Sequence, residues 1–95
     1  MGYRLEKTKL CHRWYEALTV KIQAQVESRL LKITTDEHFG HVRQLDKSLA
    51  EIKFNNGNRI YFTVKRDGEK TIILLLGGNK NGQDKDIKKA KSLLD

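Results

Sequence analysis

Arg59-Ile60-Tyr61-Phe62-Thr63-Val64 and Leu74-Leu75-Leu76-Gly77-Gly78-Asn79-Lys80 flank a short polar segment, Arg66-Asp67-Gly68-Glu69. Aromatic and β-branched residues dominate the first arm, and the apolar run Ile72–Leu76 fills the second. That composition suits paired strands. Asp-Gly supplies the backbone freedom of a hairpin turn. The stretch reads as a β-hairpin, and the rest of the chain reads as its packing partner.

Working outward, Asn55-Asn56-Gly57-Asn58 is a second turn, because Asn-Gly favours positive φ. Val42 to Leu45 and Leu49 to Phe54 precede it as two further strands, so an antiparallel meander runs from about Val42 to Leu76. Lys9 to Ile33 is helical. Trp14, Leu18, Ile22, Val26 and Leu30 recur every four residues, with Ala17, Leu31 and Ile33 widening the stripe. Thr19-Val20 is the one poor helix-forming step and marks a kink or a break. Trp14 lies on the stripe and is assigned to the core; Phe39 plugs the following loop. Gly2 to Leu10 carries a loose strand pattern through Tyr3 and Leu5. Asn81 to Leu94 is a last helix capped by Asn81, with Ile87, Ala90, Leu93 and Leu94 inward. Its outer face carries Lys85, Lys88, Lys89 and Lys91.

The chain has 95 residues, enough for one domain spanning 1–95 with a single core. Its 19 Lys and Arg exceed its 12 Asp and Glu, for a net charge of +7. That excess favours a polyanionic partner such as nucleic acid, an acidic protein segment or an anionic membrane surface. A plain soluble basic domain accounts for it equally well. One cysteine, Cys11, forms no internal disulfide and suits a reducing compartment. His38 and His41 flank Phe39-Gly40, but no cysteine or clustered carboxylate beside them completes a metal set. No apolar run is long enough for a signal core or a membrane span. A cytoplasmic protein without metal or cofactor is the expectation.

Strand parity carries the first functional expectation. Ile60, Phe62 and Val64 share one face and must meet the helices, which points Arg59, Tyr61 and Thr63 outward. Leu49, Glu51 and Lys53 share the corresponding face of the preceding strand, so the Asn-Gly turn brings Lys53 near Arg59 or Tyr61. With Lys80 ending the next strand, a concave cationic patch is in prospect. An ordinary solvent-facing sheet with mixed charges fits the same pattern. On the last helix, Lys85 and Lys88 are either a solvated face or a phosphate-contacting one.

These residues together resemble the RelE/ParE superfamily of toxins from bacterial type II toxin–antitoxin modules, in its HigB-like, phage Gp49-like branch. The resemblance runs from Trp14 to Leu94. It rests on Trp14 with Leu18, Arg29-Leu30, Phe39-Gly40 with Val42, and Leu49-Ala50-Glu51-Ile52-Lys53. It continues through Arg59-Ile60-Tyr61-Phe62, Leu74-Leu75-Leu76-Gly77-Gly78-Asn79-Lys80, Gln83 and Asp86-Ile87-Lys88-Lys89-Ala90. The family usually has arginine where Lys53 stands and aspartate where Asn79 stands. It also has glycine-asparagine where this chain has Glu37-His38, and a longer turn before Arg59. At Lys53 the charge is kept and the fork geometry of arginine is lost.

The resemblance implies an α+β, RelE-like fold: N-terminal helices packed on a twisted, mainly antiparallel sheet of about four strands, with a C-terminal helix. It implies a toxin that inhibits translation by ribosome-dependent, metal-independent mRNA cleavage. The implied partners are the ribosome, mRNA and a cognate antitoxin, of the helix-turn-helix, HigA-like kind. ParE relatives instead inhibit DNA gyrase on the same fold, and a non-toxic basic nucleic-acid-binding module is a third reading. Cleavage through the 2′-hydroxyl needs a base, cations on the phosphorane and an acid for the 5′-oxygen. The sheet offers no histidine, since His12, His38 and His41 lie in helix and loop. The candidates are therefore Arg59 on the phosphate, Lys80 as clamp or proton donor, and Lys53 as a base if neighbouring cations crowd it. Tyr61, which could stack on a base or be structural, joins Lys85 and Lys88 as a candidate RNA contact.

Overall fold

The computed structural model describes residues 3–94. Its elements are β1 (Arg4–Lys7), α1 (Lys9–Glu16), α2 (Val20–Asp36), β2 (Val42–Asp46), β3 (Leu49–Lys53), β4 (Asn58–Asp67), β5 (Glu69–Asn79), a 3₁₀ turn (Lys80–Gly82) and α3 (Gln83–Ser92). The sheet order is β1-β5-β4-β3-β2. β2 to β5 form the expected antiparallel meander. β1 adds a fifth strand, parallel to β5, with Leu5 opposite Ile72. The fold is thus α+β as expected, with five strands where about four were anticipated. The expected first strand began at Gly2, which lies outside the described residues.

The helical stretch breaks where the sequence weakens. Thr19 caps α2 by accepting the Ile22 amide at 3.3 Å, so a β-branched residue that disfavours helix interiors serves as a cap. Thr8 does the same for α1: its hydroxyl accepts from the Cys11 amide at 3.2 Å and donates to the Leu75 carbonyl at 2.6 Å. That second bond ties the start of α1 to β5.

α1 and α2 cover one face of the sheet. Cys11, Val26, Leu30 and Ile33 pack there on Ala50, Ile52, Ile60, Phe62, Ile72 and Leu74. Phe39 joins them, its ring centroid 5.9 Å from that of Phe62. α3 covers the other face, where Ala90 and Ile87 meet Leu49, Tyr61 and Leu75. The face expected to carry Arg59 and Tyr61 into solvent therefore lies under a helix. The run Ile72–Leu76 has no polar alternation because both faces of β5 are covered. A register irregularity beside Tyr61 leaves Leu75 between Leu74 and Leu76, which pair with Phe62 and Tyr61 respectively.

Gly77 and Gly78 follow from this two-sided cover. A Cβ on Gly77 would run into the Trp14 indole from α1, and one on Gly78 would run into the Asp86 carboxylate from α3. The pair lets both helices approach the backbone of β5 closely. Gly77→Ala should cost roughly 1–3 kcal/mol in urea unfolding, because the Trp14 ring must move. A change below the error of the fit would show that Trp14 is loosely seated.

Candidate functional site

The end of the sheet formed by β3, β4 and β5 gathers the three cations singled out by sequence. Lys53 is directly opposite Arg59, and Arg59 is opposite Gly78. Gly57, at φ 94, makes the tight turn between β3 and β4. Its carbonyl accepts the Lys80 amide at 2.9 Å, and the Lys80 side chain packs alongside it. Asn79 holds the start of the 3₁₀ turn, its Oδ1 accepting the Asn81 amide at 3.1 Å. Backbone register thus brings Lys53, Arg59 and Lys80 to one end of the sheet. Lys80 is exposed and Lys53 half-buried.

Arg59 and Tyr61 differ from the expectation. Glu51, directly opposite Tyr61 and on the same face as Lys53, is fully buried. Its carboxylate accepts from Arg43 Nε at 2.7 Å and lies 3.4 Å from Arg59 Nε. Gln83 Nε2, from the first turn of α3, donates to both carboxylate oxygens at 3.2 Å. Arg59 Nη1 donates to the carbonyls of Gly57 and Asn58 at 3.1 and 3.2 Å, and its side chain is only 11% exposed. The guanidinium is held by the two carbonyls and by a charge contact to Glu51, since its Nε makes no hydrogen bond to a described residue, and it is not an open cation. A buried carboxylate demands a partner far more strongly than an exposed one, so Glu51 captures the arginines on either side.

Tyr61 is enclosed completely, so its ring offers no stacking surface to an RNA base. Its hydroxyl makes no hydrogen bond to a described residue. Burial, and then the negative charges of Glu51 and Asp86, push its phenol up to about 12. At neutral pH it is a protonated, structural side chain. Asp86 lies over Gly78 at the same junction, its carboxyl pushed up by burial and drawn back by Lys85 and the backbone of Asn79.

Lys85 and Lys88 sit on the exposed side of α3, in a shallow groove shared with Asp84, Ile87 and Lys91. Lys91 pairs with Asp46 at 3.8 Å, a contact across two half-exposed groups worth little. Cys11 is buried and its thiol is raised to about 11, so it is packing rather than nucleophile. Among the described residues, no group of three or more His, Cys, Asp or Glu could hold a metal ion. No helix among them is long and apolar enough to cross a membrane.

Sequence reasoning missed Glu51, Gln83 and Arg43 as a unit. A carboxylate among cations on an alternating strand looks solvated. The signal that could have found it is the unbroken apolar run of β5, which implies cover on both faces of its neighbours.

Solved structures share this fold. A double arginine-to-alanine mutant of the Escherichia coli toxin RelE in its free state superposes with a TM-score of 0.73 at 14% identity, covering 95% of this chain and 94% of that one. The fold is that of RelE. The isolated E. coli RelE toxin, in its P21 crystal form, gives 0.68 at 14% identity, with 93% and 98% covered. The intact E. coli RelBE toxin–antitoxin complex gives 0.64 at 15% identity, with 82% and 96% covered. An uncharacterised protein of Haemophilus influenzae is 28% identical over 94 residues, which is 98% of this chain and 94% of that protein. No protein-family model matches the chain. At these identities the likeness to RelE establishes architecture, and the side chains at the sheet end must carry any functional argument themselves.

Two outcomes test this site. Glu51→Ala should cost about 3–5 kcal/mol in denaturant unfolding, because it strands Arg59 without a counter-charge. Tyr61→Phe should stay within about 1 kcal/mol of the parent, since it removes a hydroxyl without a described partner. Equal, small effects for both would mean that Glu51 is solvated.

Proposed function

We propose that this protein is a toxin of a type II toxin–antitoxin module that inhibits translation by cleaving mRNA on the ribosome. The observation that carries the proposal is the meeting of Lys53, Arg59 and Lys80 at one end of a RelE-type sheet. Lys80 and Lys53 are the contacts for a scissile phosphodiester. Arg59, fixed by Glu51 and two carbonyls, sets a positive field at the sheet end and presents at most one edge of its guanidinium. One negative charge shared by Arg43 and Arg59 leaves this cluster net positive.

In the cleavage step, the 2′-oxygen attacks the adjacent phosphorus while its proton passes to solvent water. The bond to the 5′-oxygen breaks, and that oxygen takes up a proton, leaving a 2′,3′-cyclic phosphate. Lys80 and Lys53 stabilise the charge that builds on the phosphorane. Lys80, the more exposed of the two, is the proposed donor of a proton to the leaving oxygen and is reprotonated from solvent. So few groups make a weak ribonuclease alone, so the ribosome is assigned the task of aligning the strand. The antitoxin is the second partner, by analogy with the RelBE complex. A helix-turn-helix, HigA-like antitoxin and a cytoplasmic site of action belong to the same proposal.

A second reading has its own support. The burial of Arg59 and Tyr61 suits a toxin that acts by binding, as a ParE-like gyrase inhibitor would, because binding needs neither group exposed. Induced expression in bacteria with pulse labelling separates the two. Protein synthesis should collapse, and the double substitution Lys53→Ala with Lys80→Ala should restore it. A DNA-damage response with translation intact would replace the ribonuclease with the gyrase reading. Rapid metal-free cutting of naked RNA by the purified protein would contradict the ribosome's role.

A further inference from the structure

Across the β3–β4 turn from the cation cluster lies a groove that the site above does not use. Gln25, Ser28 and Lys32 of α2 form one wall, and Phe54, Asn55 and Asn56 form the other. Arg29 is its floor. Its guanidinium donates to the carbonyls of Phe39, Lys53 and His41 at 3.0–3.1 Å and rests 5.2 Å from the centroid of the Phe54 ring. No carboxylate lines the groove, although the chain has 12 Asp and Glu. Glu27, in the middle of α2, is turned instead towards Tyr15 of α1. Gln25, Ser28, Lys32, Asn55 and Asn56 are all exposed.

We propose that this groove is a second RNA-binding surface, holding the single strand that continues beyond the Lys53–Lys80 end of the sheet. The inference rests on the RNA-directed reading above. Continuity is built into Lys53. Its backbone carbonyl is held by the groove floor, while its side chain lies on the opposite face, across from Arg59. A strand that crosses Lys80 and Lys53 therefore reaches the groove by passing over Asn55 to Asn58. The lining matches the chemistry of such a strand. Lys32 meets phosphate, amides and a hydroxyl meet base edges and ribose, and Phe54 backed by Arg29 gives an aromatic platform. About 10 Å of α2 separates Gln25 from Lys32 along the helix axis. An acidic amphipathic helix of a protein partner would instead need an apolar seam, and here only Ala24 and Phe54 are apolar.

The test is fluorescence anisotropy with the full chain and labelled oligonucleotides, 2′-O-methylated throughout so that they cannot be cleaved. The parent protein should bind a dodecamer more tightly than a trinucleotide. Gln25→Glu with Lys32→Glu should weaken dodecamer binding on the order of tenfold and lower its salt slope by about 0.7 per lost phosphate contact. Trinucleotide binding should stay nearly unchanged, as should the thermal melt, because both side chains are exposed. The proposal is overturned if length brings no gain, if both oligonucleotides lose affinity alike, or if neither does. It is equally overturned if an acidic peptide of matched charge occupies the groove more tightly than the dodecamer. Lys53→Ala keeps the two readings apart: trinucleotide affinity unaffected by that change sinks the cleavage site and leaves the groove result standing.

Discussion

Glu51 is the constraint on which the second face of this protein depends. A carboxylate with no solvent exposure is costly unless every lone pair is used. Here it is met by Arg43 from β2, Arg59 from β4 and Gln83 from α3. One side chain on β3 thereby fixes the positions of three other elements. α3 is short, and Ala90 is its one fully buried residue, so its seat relies on this polar clasp as well as on Ile87 and Leu93. The same clasp explains why Arg59, placed outward by strand parity, ends up held rather than free.

Much of the architecture was legible in the sequence because local rules and tertiary packing agree there. The hairpin, the Asn56-Gly57 turn, the break at Thr19 and the inward stripe of α2 each follow from one or two residues with strong preferences. The parity assignments also hold: Ile60 and Phe62 face α1 and α2, while Glu51, Arg59 and Tyr61 share the other side. What parity could not supply is which faces are covered. A ten-residue helix rich in lysine shows a weak apolar stripe, and nothing local indicates that it folds back over the sheet. Parallel pairing of β1 was hidden for the same reason, since it depends on β5 at a distance of more than sixty residues.

The candidate site was legible in part. Sequence placed Lys53, Arg59 and Lys80 together, and the register of β3, β4 and β5 does so. It did not separate the exposed lysine from the arginine bound to Glu51, because that distinction arises only when a buried acid competes for the cation. Tyr61 illustrates the same limit: an aromatic on the strand face opposite the helices reads as a stacking platform until α3 closes over it. Likeness of fold does not decide between these outcomes, so the chemistry has to be read from these side chains and not from the architecture.

The state of Arg59 is the point on which the account turns, and nitrogen-15 NMR of the arginine Nε–H groups observes it directly. Arg59 locked beside Glu51 should show an Nε–H signal that survives at neutral pH with slowed solvent exchange and with proton contacts to neighbouring residues of the α3-covered face. An Arg59 signal that exchanges as quickly as that of a free arginine side chain would contradict the buried clasp and return Arg59 to the open surface.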